Sequence, residues 1–234
     1  MKPRIKLAEA LSAQGEAIEL YAHDESFLMH WHGSRLLTNA TRDVEAALAA
    51  LGCSPFRSVG QPRILIAGLG LGHLAAGALA ALSQKRGQFV VAEATAAVVE
   101  WNRGALDALH PGMMDDKRLT VENRPVEQVL AKEHGAWHAI LVHLDLAPPP
   151  RSGKGEHLLS SLQDLRLAAA ALKDGGLLTL GAARRMPGLT KKLVTAGFSV
   201  AEHEIPLSGS SKRPRFHHVW LARRGVYSKT PPAS

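Results

Sequence analysis

Only one cysteine, Cys53, stands among the 234 residues. That excludes a disulfide scaffold and any zinc site built on cysteine pairs, and it suits a reducing compartment. No apolar run approaches the ~20 residues of a membrane-spanning helix. Met1 to Leu20 mixes Lys, Arg and Glu without the apolar centre of an export signal. A cytoplasmic protein without membrane contact is therefore expected. Three catalytic signatures are also missing: the G-x-S-x-G elbow, the G-x-x-x-x-G-K phosphate loop and the H-E-x-x-H metal helix.

What is present favours a packed core. Hydrophobic residues make up 46% and charged residues 21% of the chain, a balance that disfavours bulk disorder. At roughly 150 residues per domain, the length fits one domain with an appendage. The net charge of +7 is unevenly placed. Through Asp145 there are 14 Lys and Arg against 16 Asp and Glu; from Leu146 onward there are 14 against 5. All of the basicity lies in the C-terminal part, where it makes either a solvated surface or a face for an anionic partner.

Short extended segments are expected at Ala17–Ala22, Phe27–Trp31 and Ser34–Leu37. A helix follows, capped by Thr41 and stopped by Gly52. Cys53 to Pro62, with Pro55, Gly60 and Pro62, marks a boundary. Beyond it, apolar strands alternate with helices: strands at Ile64–Ala67, Phe89–Ala92, Leu119–Glu122, Ala139–Leu144 and Leu177–Leu180. The intervening helices are expected at His73–Leu82, Thr95–Leu109 and Leu158–Leu172, the last ended by Lys173-Asp174-Gly175-Gly176. Continuous apolar strands between helices imply a mostly parallel sheet covered on both faces. Phe198–Ile205 and Phe216–Ala222 read as an antiparallel pair.

Gly68, Gly70 and Gly72 fall between a strand and a helix. Such a turn lets backbone approach a ligand closely, and the helix N-terminus favours negative charge. The spacing is G-x-G-x-G, with His73 where a dinucleotide fingerprint has its last glycine; this form is typical of nucleoside-sulfonium sites. Glu93, 21 residues beyond Gly72 at the end of the next strand, can accept both hydrogen bonds of a ribose diol. Leu69 and Ala94 flank these groups and complete the candidate cofactor set. The strand from Trp137 emerges into a Pro-rich loop, where Asp145 is the sole carboxylate and His143 can titrate near neutrality. Strand alternation would put residues 143 and 145 on one face, as acid–base candidates beside a transferred group. The other reading makes Asp145 a loop cap and His143 a half-buried hydrogen-bonded ring.

On these residues the chain resembles the spermidine synthase-like family, a branch of the class I methyltransferase fold. Ile64 to Gly72 is similar to the family's first motif, and Val90-Val91-Ala92-Glu93 to its ribose-holding strand. Leu172 to Gly176, Ala196-Gly197-Phe198 and His217 to Arg224 are similar to uncharacterised bacterial members. The resemblance implies a Rossmann-like α/β fold, a mostly parallel sheet with helices on both faces and an antiparallel last strand, plus a small N-terminal β segment. It divides the chain into residues 1–58 (β segment plus helix), 59–226 (nucleotide-binding domain) and 227–234 (tail). It further implies S-adenosylmethionine, its decarboxylated form or methylthioadenosine as ligand, a small-molecule acceptor, a homodimer and aminopropyl transfer.

Active aminopropyltransferases carry a D-x-x-D-P loop after the fourth strand. In that register His143 takes the first acid's place and Leu146 the second's, and no carboxylate falls beside the adenine position near Glu122-Asn123-Arg124-Pro125. Arg151, Lys154, Arg184 and Arg185 instead fall on loops expected at the ligand edge. Methyl transfer to a neutral or anionic acceptor is thus the alternative enzyme, and a non-catalytic nucleoside-binding protein the alternative to an enzyme. The histidines at 30 and 32, 134 and 138, and 217 and 218 lack a supporting carboxylate or cysteine pattern, so no metal is expected. Lys212-Arg213-Pro214-Arg215 lacks interleaved aromatics, so nucleic acid is not expected either.

Overall fold

The structure, a computed structural model, describes residues 3–12, 15–31, 34–146, 159–207 and 216–225. The expected segments at Arg151, Lys154 and Lys212 to Arg215, and the tail 227–234, lie outside the described residues.

Four strands open the chain: β1 (Ile5–Leu11), β2 (Ala17–His23), β3 (Ser26–Trp31) and β4 (Ser34–Thr38) form an antiparallel sheet in that order. β1 is absent from the sequence reading, because Lys6 and Glu9 interrupt its apolar pattern and most of it stays exposed. One face of this sheet buries Ile18, Leu20, Met29, Trp31 and Leu37, which join a single core cluster with residues of the larger sheet.

Helix α1 (Arg42–Cys53) runs through Gly52 instead of stopping there. Thr41 makes no side-chain cap; its hydroxyl donates to Glu45 Oε1 at 2.8 Å, with the Thr38 carbonyl 3.0 Å away on its other side. The buried positions Glu45, Leu48, Ala49 and Gly52 form one helical stripe facing the sheet. Gly52 must be small because a Cβ there would overlap Leu141 and sit 2.7 Å from Thr179 Oγ1.

The larger sheet comprises β5 (Arg63–Ala67), β6 (Gln88–Ala92), β7 (Leu119–Glu122), β8 (Trp137–His143), β9 (Leu172–Ala182), β10 (Phe198–Pro206) and β11 (Phe216–Arg224). Its order is β10-β11-β9-β8-β5-β6-β7; β5 to β9 pair in parallel, and β11 is antiparallel to both neighbours. Strands β5 and β8 are buried almost throughout, as parallel strands covered on both faces must be. The covering helices are α2 (His73–Ala81), α3 (Ala96–Arg103), α4 (Val126–Leu130), α5 (Leu162–Ala171) and α6 (Leu189–Thr195).

Two sequence expectations shift. The helix expected to reach Leu109 ends at Arg103, with Gly104 in a non-helical conformation and a short 3-10 turn at Asp107–Leu109. The helix expected to run to Leu172 and end at Lys173 to Gly176 stops at Ala171, and Leu172 to Gly176 already belong to β9. The helices α4 and α6 are too short for their periodicity to stand out in sequence. No helix among the described residues is long and apolar enough to cross a membrane.

Candidate functional site

The strand order reverses direction between β5 and β8, and ligands of open α/β sheets bind beyond the strand ends at such a switch. The glycine-rich turn follows β5 at this edge. Gly68, Gly70 and Gly72 all have left-handed backbones, with φ of 84°, 53° and 83°, a conformation that costs glycine least. Between them Leu69 and Leu71 bury their side chains in the core, anchoring the turn from below. The Gly68 amide donates to the Ala92 carbonyl at 2.9 Å, tying the turn to β6. Asn102 of α3 is buried beneath it and donates to the Gly70 carbonyl and to the Val98 carbonyl, each at 2.9 Å. A Cβ on Gly72 would sit 2.8 Å from Asn102 Oδ1 and 2.9 Å from Met113 Cε. Asn102 was missed in the sequence, because nothing local distinguishes it from any helical asparagine.

Glu93 ends β6 and meets the turn as its spacing suggests. Its Oε2 accepts from the Leu69 amide at 2.9 Å and its Oε1 from the Thr95 amide at 2.8 Å. Burial raises the Glu93 pKa, with the backbone donors of Leu69, Thr95 and Gly70 working in the opposite direction. Each carboxylate oxygen keeps a second lone pair for a ligand hydroxyl. Ala94 lies at the bend between Glu93 and Thr95, half-buried. Asn123, just past β7, donates to the Glu93 carbonyl at 2.8 Å, so an amide stands near the place where the sequence lacks an acid. The glycine turn, the N-terminus of α2 and the half-buried carboxylate could together hold a nucleoside by its ribose.

At the first residue of α2, buried His73 brings Nδ1 to 2.7 Å from His110 Nε2. Burial lowers both pKa values, that of His110 to about 4. Both rings are therefore neutral at physiological pH, one donating and one accepting.

The end of β8 carries the second cluster. His143 and Asp145 come together, though not by strand alternation. β8 ends at His143, and a 3-10 turn over Leu144–Leu146 folds Asp145 back so that its Oδ2 accepts from the Ala183 amide at 2.6 Å. That same oxygen lies 3.5 Å from His143 Nε2 and 3.8 Å from His217 Nε2, and the two imidazole nitrogens are 3.1 Å apart. On its other side, His143 Nδ1 is 3.3 Å from Glu45 Oε1. The angle there falls short of a directed hydrogen bond, and Glu45 Oε2 has none.

The register explains the meeting. His143 of β8 and Val219 of β11 both pair with Gly181 of β9, so His143 and His217 project on the same face as that glycine. Leu48 of α1 packs directly on the bare Gly181, where a Cβ would meet it at 2.9 Å. Glu45, on the α1 stripe, closes the cluster from above. Side-chain exposure is 1% for His143 and 2% for Glu45, against 33% for Asp145. Burial alone would depress the His143 pKa, but Asp145 and Glu45 carry it up to about 9. Burial and the neighbouring His143 charge hold His217 down to about 4. Burial acts to raise the Asp145 and Glu45 pKa values, and their imidazole contacts bring both below the ordinary carboxylate range.

Of the expected edge cations, Arg184 and Arg185 are exposed, and Arg185 is turned toward Glu202 of β10 at 3.4 Å.

No protein-family model and no curated protein matches the chain. Solved structures do. A spermidine synthase in complex with the transition-state analogue AdoDATO superimposes with a TM-score of 0.73 at 15% identity, covering 94% of this chain and 74% of that one. Spermidine synthase from Thermotoga maritima gives 0.70 at 14% identity, over 94% and 72%. A predicted O-methyltransferase from Agrobacterium tumefaciens gives 0.51 at 19% identity, over 78% and 81%. The chain therefore has the spermidine synthase-like form of the class I methyltransferase fold, small N-terminal sheet included.

Proposed function

We propose that this chain is a cytoplasmic transferase that uses an S-adenosyl nucleoside: S-adenosylmethionine, its decarboxylated form or, as product, methylthioadenosine. The observation that carries the reading is the Glu93 carboxylate, held by the Leu69 and Thr95 amides directly against three left-handed glycines. A carboxylate so placed can receive both ribose hydroxyls. The sulfonium, when bound, supplies an electrophilic carbon. The chain's own part is to hold the nucleoside at Glu93 and the glycine turn, and to present Asp145 at the acceptor side. There Asp145, oriented by the Ala183 amide and His143, takes or directs the acceptor's proton.

Methyl transfer to a neutral or anionic acceptor suits this site better than aminopropyl transfer to a polyamine. A dicationic acceptor needs several carboxylates, because each buried unpaired charge costs several kcal/mol. His143 stands where the aminopropyltransferase loop has its first acid. Among the described residues at the ends of β8 and β9, Asp145 is the sole carboxylate, and exposed Arg184 and Arg185 follow β9.

Thermal shift with S-adenosylmethionine, decarboxylated S-adenosylmethionine, methylthioadenosine and NAD tests the reading. Stabilisation by the first three and not by NAD is expected, and Asp145→Asn should abolish transfer while leaving that stabilisation in place. Silence toward all three nucleosides would remove the proposal.

A further inference from the structure

The cluster at the end of β8 has a geometry that acid–base chemistry does not require. His143 Nε2, His217 Nε2 and Asp145 Oδ2 form a triangle with sides of 3.1, 3.5 and 3.8 Å. One point lies about 2.0 Å from all three atoms, which is the length of a zinc–imidazole or zinc–carboxylate bond. Two imidazole nitrogens and one carboxylate oxygen also form a common ligand set for divalent transition metals that keep a position open. We infer that His143, Asp145 and His217 bind a divalent transition-metal ion, zinc by the chemistry of the set, with Glu45 as the outer carboxylate.

Two further observations support the site. The first is Glu45: metal-bound histidines usually face a carboxylate with their second ring nitrogen, and His143 Nδ1 lies 3.3 Å from buried Glu45 Oε1. Thr41, just ahead of α1, holds that oxygen at 2.8 Å. The second is access: Asp145, one-third exposed, connects the two buried imidazoles to solvent.

The site stands on these distances whether or not the nucleoside reading holds. The ion would take the place of the proton between the rings. It would leave at least one coordination position for water or an acceptor oxygen at the ligand edge of the sheet. The sequence expectation of no metal came from histidines lacking a partner pattern. The fold supplies that pattern by bringing His217 from β11 to the end of β8.

The test uses the tag-free, full-length protein stripped with a chelator, then titrated with Zn2+ in competition with a chromophoric chelator. Co2+ titrations are followed by visible d–d absorption, and Mg2+ serves as a hard-cation control. One zinc per chain is expected. His217→Gln should abolish the Co2+ spectrum, Asp145→Asn should weaken zinc by more than about 100-fold, and Glu45→Gln by about 10–100-fold. Exposed His203→Gln should change nothing. Asp145 is one-third exposed, so its variant keeps the protein folded even where a buried histidine change does not; circular dichroism of the metal-free forms verifies this. Failure of the wild type to take up one equivalent would overturn the inference. So would uptake that survives both His217→Gln and Asp145→Asn, or Mg2+ binding as tight as Zn2+. Nucleoside binding, read separately through Glu93, stays measurable in either event.

Discussion

Replacing Glu93 with Gln changes one atom and reverses the hydrogen-bond character of half the group. In the wild type both carboxylate oxygens accept, from Leu69 and Thr95, and both retain capacity for a ribose diol. The amide keeps one acceptor oxygen and sets an NH2 against either a backbone donor or a ribose hydroxyl. Hydrogen bonds to a charged group contribute about 1.5–3 kcal/mol each. Losing one outright and weakening the other therefore costs about 3 kcal/mol of binding, roughly a 100-fold rise in Kd.

The pH dependence gives a second reading with opposite sign. Burial raises the Glu93 pKa in the folded protein. Its contribution to stability is therefore full below the unfolded carboxylate pKa and is lost as pH rises through the folded value. Nucleoside affinity should do the reverse, rising with pH over that window as the carboxylate ionises. Calorimetric titrations and urea denaturation of both proteins across the carboxylate range would measure each, the difference between wild type and variant isolating Glu93 from other acids. An unchanged Kd in Glu93→Gln, or an affinity that falls as pH rises, would refute the assignment of this carboxylate to the ribose.

Other residues make further claims testable. Asn102→Ala leaves the Gly70 carbonyl without its donor beneath the turn; urea denaturation should show a loss of about 1–3 kcal/mol, with weaker nucleoside binding by calorimetry. Gly52→Ala pushes a methyl against Leu141 and Thr179, and overpacking of this kind should lower stability by about 1–3 kcal/mol in the same assay. Arg63 makes a bidentate contact with Glu133 at 2.8 and 3.0 Å and lies 4.1 Å over the Trp137 ring. Both side chains of that ion pair are about 30% exposed, so Arg63→Ala should cost only about 1 kcal/mol, less at high salt.

The parts of the site that the sequence displayed are those made by neighbours along the chain. Gly68 to Gly72 and the acid of the following strand are local patterns, and the strand order follows from apolar runs alternating with helices. The partners of that frame come from far away. Glu45 is an ordinary helical acid until α1 lies on β8 and β9, and His217 is one of 12 histidines until β11 inserts beside β9. Alternation could not place Asp145 either, because the strand ends two residues earlier and a turn does the work. Helix limits were misjudged where glycine acts in context: Gly52 continues a helix because it must touch a strand, while Gly104 ends one.

The most direct measurement is a crystal structure with methylthioadenosine bound. The ribose diol is expected on the Glu93 carboxylate, with the nucleoside lying over Gly68 to Gly72 and its thioether directed toward Asp145. A nucleoside bound elsewhere, with Glu93 still engaged only by Leu69 and Thr95, would contradict it.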